Sequence, residues 1–317
     1  MLDLIIIGGS AAGCSAAIYA ARRKLNFKII THDIGGEVVY AGEVKNWLGN
    51  KSIYGYDLAQ NFADHVRDYG VEIEEGWKVY SIEKEKSGFT VKTRNNKGEE
   101  RKELAKTVLI ATGIHPRHLG ANNEEELFHK GITYCTVCDG PLFKNKTVAV
   151  LGGGNAALEA AVMMSSIAQK VYLMTIEPDT AEKKFGFPTG DDVLIEKVKS
   201  LPNVEIIHYA NTYEFVGENK LTGLKYRDLR DGKNEEKELA IEGAMIHVGM
   251  VPNSDFIDIV EKDRAKQIIV DRHQQTSVPG IFAAGDVTDL PYKQIIVAAG
   301  QGTAAALSAI EYLNKLK

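Results

Sequence analysis

An internal repeat is the feature that most constrains how this chain can fold. The stretch LIIIGGSAAGCSAAIYAARRKLNFKIIT, residues 4–31, reappears in outline as VAVLGGGNAALEAAVMMSSIAQKVYLMT, residues 148–175. Each copy has the pattern of a buried apolar strand, a glycine-rich turn, an alanine-rich helix and a second apolar strand. This is the pattern of a βαβ nucleotide-binding unit on a parallel sheet. The repeat predicts an α/β protein with two Rossmann-like three-layer nucleotide-binding domains.

The order of the strand patterns predicts that the second domain is inserted into the first. Strand patterns near residues 71–73, 77–83, 88–93 and 107–111 follow the first repeat, and a hairpin-rich stretch over residues 204–238 follows the second. A strand at residues 280–284 and a helix from about residue 294 to 317 end the chain. We assign residues 1–114 and 245–317 to the first domain and residues 115–244 to the inserted one. The connections near Gly113 and Gly249 are candidate hinges.

The charge balance excludes several classes of partner. The 317 residues include 38 Lys and Arg against 43 Asp and Glu, a net charge of −5, and the basic residues are scattered. We therefore expect no nucleic-acid partner and no membrane partner. Three cysteines cannot form a disulfide framework, and the start MLDLIII lacks the basic segment of a signal peptide. These features predict a cytoplasmic protein.

The first glycine turn, Gly8–Gly13, matches G-x-G-x-x-G except that Ser10 replaces the second glycine. In such a turn, backbone N–H groups at a helix N-terminus bind a pyrophosphate, and the last glycine allows the helix to pack on the strand. Asp33 follows about 20 residues later, where an acidic side chain contacts a ribose hydroxyl. The alternative is a turn without a ligand, with Asp33 as a solvated loop charge.

The second glycine turn, residues 152–157, matches G-x-G-x-x-A and predicts a second nucleotide site. Thr175-Ile176-Glu177 holds no arginine for a 2′-phosphate, and Glu177 stands at the repeat position of Asp33, which disfavours NADPH and favours NADH. The alternative is that this unit has lost its nucleotide and only positions the cysteines. The candidate contacts of a second nucleotide are Gly152, Gly154, Asn155, Ala156 and Glu177.

Cys135 and Cys138 form a C-x-x-C motif at a predicted helix start. Such a pair can form a reducible disulfide whose thiolate is stabilised by the helix N-terminus, and the carboxyl of Asp139 can move protons to and from it. A zinc site with His115 and His118 is the alternative, which we disfavour because Pro116 stiffens the H-x-x-H turn. We therefore assign no metal.

These signals together make the chain resemble the low-molecular-weight thioredoxin reductase family over nearly its whole length. The resemblance implies a cytoplasmic, homodimeric flavoprotein oxidoreductase, with FAD in the first domain and an NAD(P)-type inserted domain that carries the redox-active disulfide. The motifs that carry it are the first glycine turn, residues 35–38, 45–49, 111–113, 134–140 and 249–256, Ala284-Gly285-Asp286 and Lys293-Gln294-Ile295.

The resemblance also implies roles for single residues. Cys138 lies against the flavin and forms the charge-transfer thiolate, Cys135 attacks the thioredoxin disulfide, and Asp139 is the acid/base. The first glycine turn holds the FAD pyrophosphate, Asp286 contacts the ribityl and phosphate region, and Asn46, Gln294 and Ile295 lie near the isoalloxazine. The full set of implied cofactor residues is Gly8, Gly9, Ser10, Ala11, Ala12, Gly13, Asp33, Gly35, Gly36, Glu37, Val38, Asn46, Val79, Ala111, Thr112, Gly113, Gly285, Asp286, Lys293, Gln294 and Ile295.

Departures from the family pattern bear on the electron donor. Members that use NADPH carry an arginine-rich run where this chain has Met174–Pro178, and Gly-Asp-Ser where it has Asn155-Ala156. The chain is similar here to deep-branching members that take electrons from reduced ferredoxin or a deazaflavin. We predict a flavin-dependent thioredoxin-disulfide reductase that uses ferredoxin, a deazaflavin or NADH rather than NADPH. The alternative is an FAD-dependent dithiol oxidase that passes electrons to oxygen.

Overall fold

The chain divides into two compact units in the computed structural model, which describes residues 1–41, 43–232 and 234–316, and of residue 231 only the backbone. The first unit consists of Met1–His115 and Val251–Lys317, and the second of Pro116–Met250. Residue 317, the predicted end of the last helix, lies outside the described residues. The second unit is therefore continuous in sequence and interrupts the first.

The strands are β1 (Leu2–Gly9), β2 (Phe27–Ile34), β3 (Glu43–Val44), β4 (Ile53–Tyr54), β5 (Ile73–Glu74), β6 (Trp77–Glu85), β7 (Gly88–Asn95), β8 (Glu100–Ile110), β9 (Ile114–Pro116), β10 (Ile132–Thr133), β11 (Thr147–Leu151), β12 (Lys170–Met174), β13 (Val204–Ile207), β14 (Ala210–Val216), β15 (Gly223–Asp228), β16 (Glu235–Ala240), β17 (Gly243–Ile246), β18 (Met250–Pro252) and β19 (Ile281–Ala283). The α-helices are α1 (Ala11–Arg22), α2 (Gly55–Arg67), α3 (Thr136–Asp139), α4 (Asn155–Ser165), α5 (Asp192–Ser200) and α6 (Ile295–Lys315).

The first unit is built on a sheet in the order β5–β2–β1–β8–β7–β6, with β19 beside β8. Strands β5, β2, β1, β8 and β19 are parallel, whereas β6 and β7 form an antiparallel hairpin. Leu4, Ile5 and Ile6 are fully buried, as expected for a parallel strand covered on both faces. On one face, small buried side chains of α1 and α6 let the two helices pack closely beneath the first glycine turn.

The second unit repeats this arrangement with the parallel sheet β10–β17–β11–β12–β13, and adds an antiparallel sheet of β14, β15 and β16. The hairpin-rich stretch was predicted to begin at residue 204. Instead, Val204–Ile207 pairs in parallel with β12, because α5 returns the chain to the edge of the sheet. The antiparallel stretch begins at Ala210.

The boundaries of the units differ from the predicted ones. The first junction falls after His115 rather than after residue 114, and the second after Met250 rather than after residue 244. The second difference has a clear cause, since a boundary at residue 244 would cut through β17, which pairs with both β10 and β11. The two connecting segments, β9 and β18, pair with each other.

Helix α6 is long and apolar enough to cross a membrane by length and composition alone. Core helices pass the same test, and a third of its most apolar window is buried within the protein. Its buried residues, among them Ala305, Ala306 and Ala309, belong to the same core cluster as Ala16 and Ala17 of α1. One face of helix α6 therefore contributes to the core of the first unit.

Candidate functional site

Cys135 and Cys138 form a disulfide with an S–S distance of 2.09 Å and a Cα–Cα distance of 5.3 Å. Cys135 is the N-cap residue of α3, as its position at a predicted helix start implied, and its Sγ accepts a hydrogen bond from the N–H of Cys138 at 3.3 Å. A hydrogen bond of this kind stabilises negative charge on sulfur. The N–H of Cys138 is thus placed to stabilise negative charge on the sulfur of Cys135.

Asp139 is buried and lies one residue beyond the disulfide. Its Oδ2 accepts a hydrogen bond from Thr133 Oγ1 at 2.5 Å, and the same hydroxyl oxygen accepts one from the N–H of Cys135 at 3.1 Å. Thr133 thus links the carboxyl group to the backbone of the first cysteine. The arrangement holds a carboxyl group next to the disulfide, which suits acid/base chemistry.

Sequence reasoning missed a buried carboxylate, Glu124, that anchors the residue before the disulfide. Its oxygens accept N–H hydrogen bonds from Leu119, Gly120 and Ala121 at 2.7–3.1 Å, and one from the hydroxyl of Tyr134 at 2.6 Å. Burial, together with this carboxylate, raises the pKa of Tyr134 far above its ordinary value. Tyr134 is therefore a neutral hydrogen-bond donor that fixes the chain at the entry to the motif.

Sequence reasoning also missed His247, which follows β17 and lies against the residue after Cys135. Its Nε2 is 2.7 Å from Oγ1 of buried Thr136. Burial lowers the pKa of His247 to about 4, so its imidazole is neutral at pH 7. The disulfide segment is thus tied to Thr133, Glu124 and His247 by three separate hydrogen bonds.

This histidine predicts a pH-dependent stability of the second unit. Its folded pKa lies below the ordinary value, so the unfolded chain binds the proton first and stability falls as the pH drops from about 6.5 towards 4. We expect a loss on the order of 3 kcal/mol over this window. His247→Gln, which keeps a hydrogen-bonding side chain, should lack this loss.

The measurement is amide hydrogen exchange of β17, because Trp47 and Trp77 are both in the first unit and do not report on the second. Wild type and variant are compared at each pH, which cancels the intrinsic pH dependence of exchange. His273→Gln, at an exposed position of the first unit, serves as control. Equal pH dependence in wild type and His247→Gln would contradict the prediction.

The zinc alternative finds no support in the described residues. The two sulfurs are bonded to each other, the Nδ1 of His118 lies 3.1 Å from the hydroxyl of Tyr134, and His115 contacts Asn253 at 2.8 Å. Within residues 1–41, 43–232 and 234–316, no group of three or more His, Cys, Asp or Glu is placed to hold a metal ion. Cys14 is buried in the core, and burial raises the pKa of its thiol to about 12.

The first glycine turn has the close packing that its sequence predicts. A side chain at Gly13 would overlap the carbonyl oxygen of Gly8, so the turn closes only with glycine there. The N–H of Gly9 donates to Thr31 Oγ1 at 3.0 Å, and the hydroxyl of Ser10 donates to the carbonyl of Gly35 at 2.7 Å. Ser10 therefore joins the turn to the predicted motif at residues 35–38.

Other predicted cofactor residues, from the C-terminal part of the first unit, lie next to the first glycine turn. A Cβ at Gly285 would lie 3.1 Å from Cβ of Ala12 and 3.4 Å from Cβ of Ala298 at the start of α6. Burial raises the pKa of neighbouring Asp286. A turn that exposes helix N–H groups beside a half-buried carboxylate fits the pyrophosphate and polyol of FAD.

Three long-range hydrogen bonds, in two pairs of residues, bring other predicted residues together. Asn46 Nδ2 donates to Gln294 Oε1 at 3.1 Å, across most of the sequence. Thr112 and Asn253 exchange bonds, with the Thr112 hydroxyl donating at 2.6 Å and the Asn253 amide donating back at 2.8 Å. The loop at residues 111–113 is thereby fixed by the second part of the first unit.

Some predicted cofactor residues have other partners in the structure. The side chain of Val79 is buried in the sheet core, so only its backbone remains for a ligand. The ammonium of Lys293 donates to the carbonyls of Thr288 and Leu290 at 2.5 and 2.7 Å, and burial lowers its pKa.

Asp33 is exposed and pairs with the neighbouring His32 at 3.1 Å. Residues 36–38 form a short 3₁₀ turn in which Val38 is buried and Glu37 exposed, and Ile295 begins α6.

The second glycine turn is packed against its own chain. A Cβ at Gly152 would overlap the carbonyl oxygen of His247, and one at Gly154 would lie 2.7 Å from Thr189 Oγ1. The carboxylate of Glu177, the predicted ribose partner, lies 3.6 Å from the ammonium of Lys183. Ala156 is exposed on the first turn of α4.

Comparison with known proteins agrees with this geometry. The family model for pyridine nucleotide-disulphide oxidoreductases matches residues 2–302. An alkyl hydroperoxide reductase subunit from Staphylococcus aureus (strain MRSA252) is 41% identical over 312 residues, which is 98% of this chain but 59% of that relative. The NADH dehydrogenase of Bacillus subtilis (strain 168) is 38% identical over 98% of this chain and 58% of its own length. The chain thus spans less than two thirds of the length of these relatives.

A solved structure confirms the predicted fold class. Thioredoxin reductase from Streptococcus pyogenes MGAS5005 superposes with a TM-score of 0.85 at 31% identity, covering 99% of both chains. The arrangement of two nucleotide-binding domains predicted from the repeat is therefore the one that this chain adopts.

Proposed function

Because the chain belongs to the pyridine nucleotide-disulphide oxidoreductase family, we propose that it is an FAD-dependent thioredoxin-disulfide reductase. The observation that carries the proposal is the Cys135–Cys138 disulfide at the start of α3, with the buried carboxyl of Asp139 beside it. FAD, when bound, supplies a two-electron carrier between the donor and this disulfide. The residues that would hold it are the first glycine turn, Asp286, Asn46 and Gln294.

The chain's own residues then perform thiol–disulfide exchange. Two electrons and two protons convert the Cys135–Cys138 disulfide to a dithiol, and the carboxyl group of Asp139 takes the proton that Cys135 loses when it becomes a thiolate. The Cys135 thiolate attacks the partner's disulfide, which forms a mixed disulfide and releases one partner thiolate. Cys138 next attacks Cys135 Sγ, which restores the internal disulfide and releases the second partner thiol.

We propose a thioredoxin-like protein as acceptor and a donor other than NADPH. The absence of arginine from residues 174–178 supports the second point, and leaves reduced ferredoxin, a deazaflavin and NADH as donors. The relationship to the NADH dehydrogenase of Bacillus subtilis keeps NADH in this set. The relationship to a subunit of an alkyl hydroperoxide reductase adds a second candidate acceptor, another component of a peroxide reductase. A cytoplasmic homodimer remains part of the proposal by family resemblance.

The test is an anaerobic spectral experiment on the purified flavoprotein. We expect the flavin band to bleach with dithionite and to return when an oxidised thioredoxin-like protein is added, with one disulfide reduced per two electrons. Failure of the disulfide to reoxidise the protein, combined with rapid reoxidation by oxygen and turnover of a small dithiol, would favour the oxidase direction. Bleaching by NADPH at micromolar concentrations would contradict the proposed choice of donor.

A further inference from the structure

The segment that follows β12 lies over the second glycine turn. We call residues 180–191 the cover segment. Its Gly186 carbonyl accepts a hydrogen bond from Thr175 Oγ1 at 3.1 Å, and its Thr189 forms a β-bridge with Gly154. A Cβ at Gly153 would lie 3.3 Å from the Gly186 oxygen. The cover segment therefore packs against two of the three glycines of the turn.

A side chain of the cover segment holds the first residue of α4. Asn155 Nδ2 donates to Asp191 Oδ2 at 2.9 Å, and the N–H of Asp191 donates to Asn155 Oδ1 at 2.7 Å. The carboxylate thus lies beside the side chain of the first residue of α4, close to the helix N-terminus at which a dinucleotide-binding turn places the pyrophosphate. Its negative charge opposes binding of that group.

The cover segment also contacts the residue that is expected to bind the ribose. Lys183 of the cover segment lies 3.6 Å from the carboxylate of Glu177, the residue expected to meet a ribose hydroxyl. The carboxylate of the equivalent residue of the first unit, Asp33, is exposed and lies 3.1 Å from Nδ1 of the neighbouring His32. The second repeat thus has a carboxylate beside the first residue of its helix and a lysine beside its candidate ribose-binding residue.

Specific contacts fix the conformation of the cover segment. Phe187 is fully buried in the core of the second unit, and the ammonium of Lys184 donates to the Gly190 carbonyl at 3.0 Å. Lys184 and Phe185 have φ values of +46° and +55°, a conformation that non-glycine residues keep only when their surroundings impose it. The ammonium of Lys199 of α5 lies 3.7 Å from the centroid of the Phe185 ring.

We propose that the cover segment takes the place of the dinucleotide in the second unit, with the Asp191 carboxylate at the position of the pyrophosphate. The second unit then serves to carry the disulfide, and the set of proposed donors narrows from reduced ferredoxin, a deazaflavin and NADH to the first two. This inference rests on the proposed function and deepens it, because a donor that does not bind the second glycine turn must deliver its electrons elsewhere.

The test is calorimetric titration of the FAD-loaded protein with NADH, NADPH and ADP-ribose. We expect no saturable binding to the wild type up to roughly 1 mM, the upper end of ordinary cofactor KM values. The double variant Thr189→Gly with Asp191→Asn removes the side chain beside Gly154 and the negative charge beside Asn155. It should bind ADP-ribose at least about tenfold more tightly than the wild type. The control variant Asp192→Asn removes a negative charge one residue further along the chain and should bind ADP-ribose no more tightly than the wild type.

Micromolar binding of either nucleotide to the wild type would overturn the proposal, as would an unchanged affinity in the double variant. A second measurement does not depend on any variant. Hydrogen exchange of the Asp191 and Gly190 amides should be slow in the wild type and unaffected by NADH, whereas rapid exchange would show that the segment does not cover the turn. Reoxidation of the dithionite-reduced protein by a disulfide tests the proposed function separately. The proposed function and the proposal on the cover segment can therefore be refuted independently.

Discussion

Cys138→Ser should abolish multiple-turnover reduction of a thioredoxin-like disulfide, with a fall in kcat of at least about 10³-fold. The internal disulfide closes only when the Cys138 thiolate attacks Cys135 Sγ, and a serine hydroxyl cannot form this bond. The protein should keep its fold, because the half-buried sulfur is replaced by an oxygen of similar size. The measurement is anaerobic turnover with dithionite in excess as the electron donor, corrected for the rate of disulfide reduction without the protein.

The same variant separates the roles of the two cysteines. With Cys138 removed, attack by Cys135 should stop at the mixed disulfide, so a covalent complex with a thioredoxin-like protein should accumulate on a non-reducing gel. Cys135→Ser should be equally inactive but should form no such complex. Cys14→Ala is the control, since that thiol is buried in the core and should leave turnover unchanged. A complex formed through Cys138 instead would reverse the assignment, and full turnover of Cys138→Ser would refute the dithiol relay.

The fold was predictable because its main signals are local. The apolar run at residues 4–7, the glycine turn and the alanine-rich helix each specify their own conformation, and the repeat places the same unit twice. The strand at residues 204–207 is assigned to the wrong sheet because the sequence shows only its local pattern. Its short alternating pattern fits a hairpin, and only its pairing with β12 shows otherwise.

The parts of the site that escaped prediction depend on long-range contacts. Glu124 lies in the run Asn-Asn-Glu-Glu-Glu, which is typical of a solvated loop, yet its side chain is buried by backbone N–H groups that the loop itself presents. His247 is a single histidine after a strand, and its bond to Thr136 joins residues far apart in sequence. The cover segment has a polar, glycine-containing sequence that gives no sign of the turn it contacts. By contrast, Asn46 and Gln294 were predicted together from family resemblance, and they share a hydrogen bond.

Two glycines of α6 give a matched pair for testing how tightly the first glycine turn is packed. A Cβ at Gly302 would overlap the carbonyl oxygen of Ala12 and lie 2.7 Å from its carbonyl carbon, whereas nothing lies within 4 Å of a Cβ at Gly300. We expect Gly302→Ala to destabilise the first unit by about 3 kcal/mol, the upper part of the usual overpacking range. Gly300→Ala should stabilise it by up to about 1 kcal/mol, because alanine favours helix.

The effect of Gly302→Ala should reach the cofactor, since Ala12 belongs to the turn proposed to hold the pyrophosphate of FAD. Urea unfolding followed by tryptophan fluorescence is a direct measurement, because Trp47 and Trp77 both lie in the first unit. Flavin retained after gel filtration provides the second measurement, and we expect Gly302→Ala to lose FAD while Gly300→Ala keeps it. Equal stability of the two variants would mean that α6 can move away from α1 at little cost. Retention of FAD by a destabilised Gly302→Ala would mean that the cofactor does not depend on the position of Ala12.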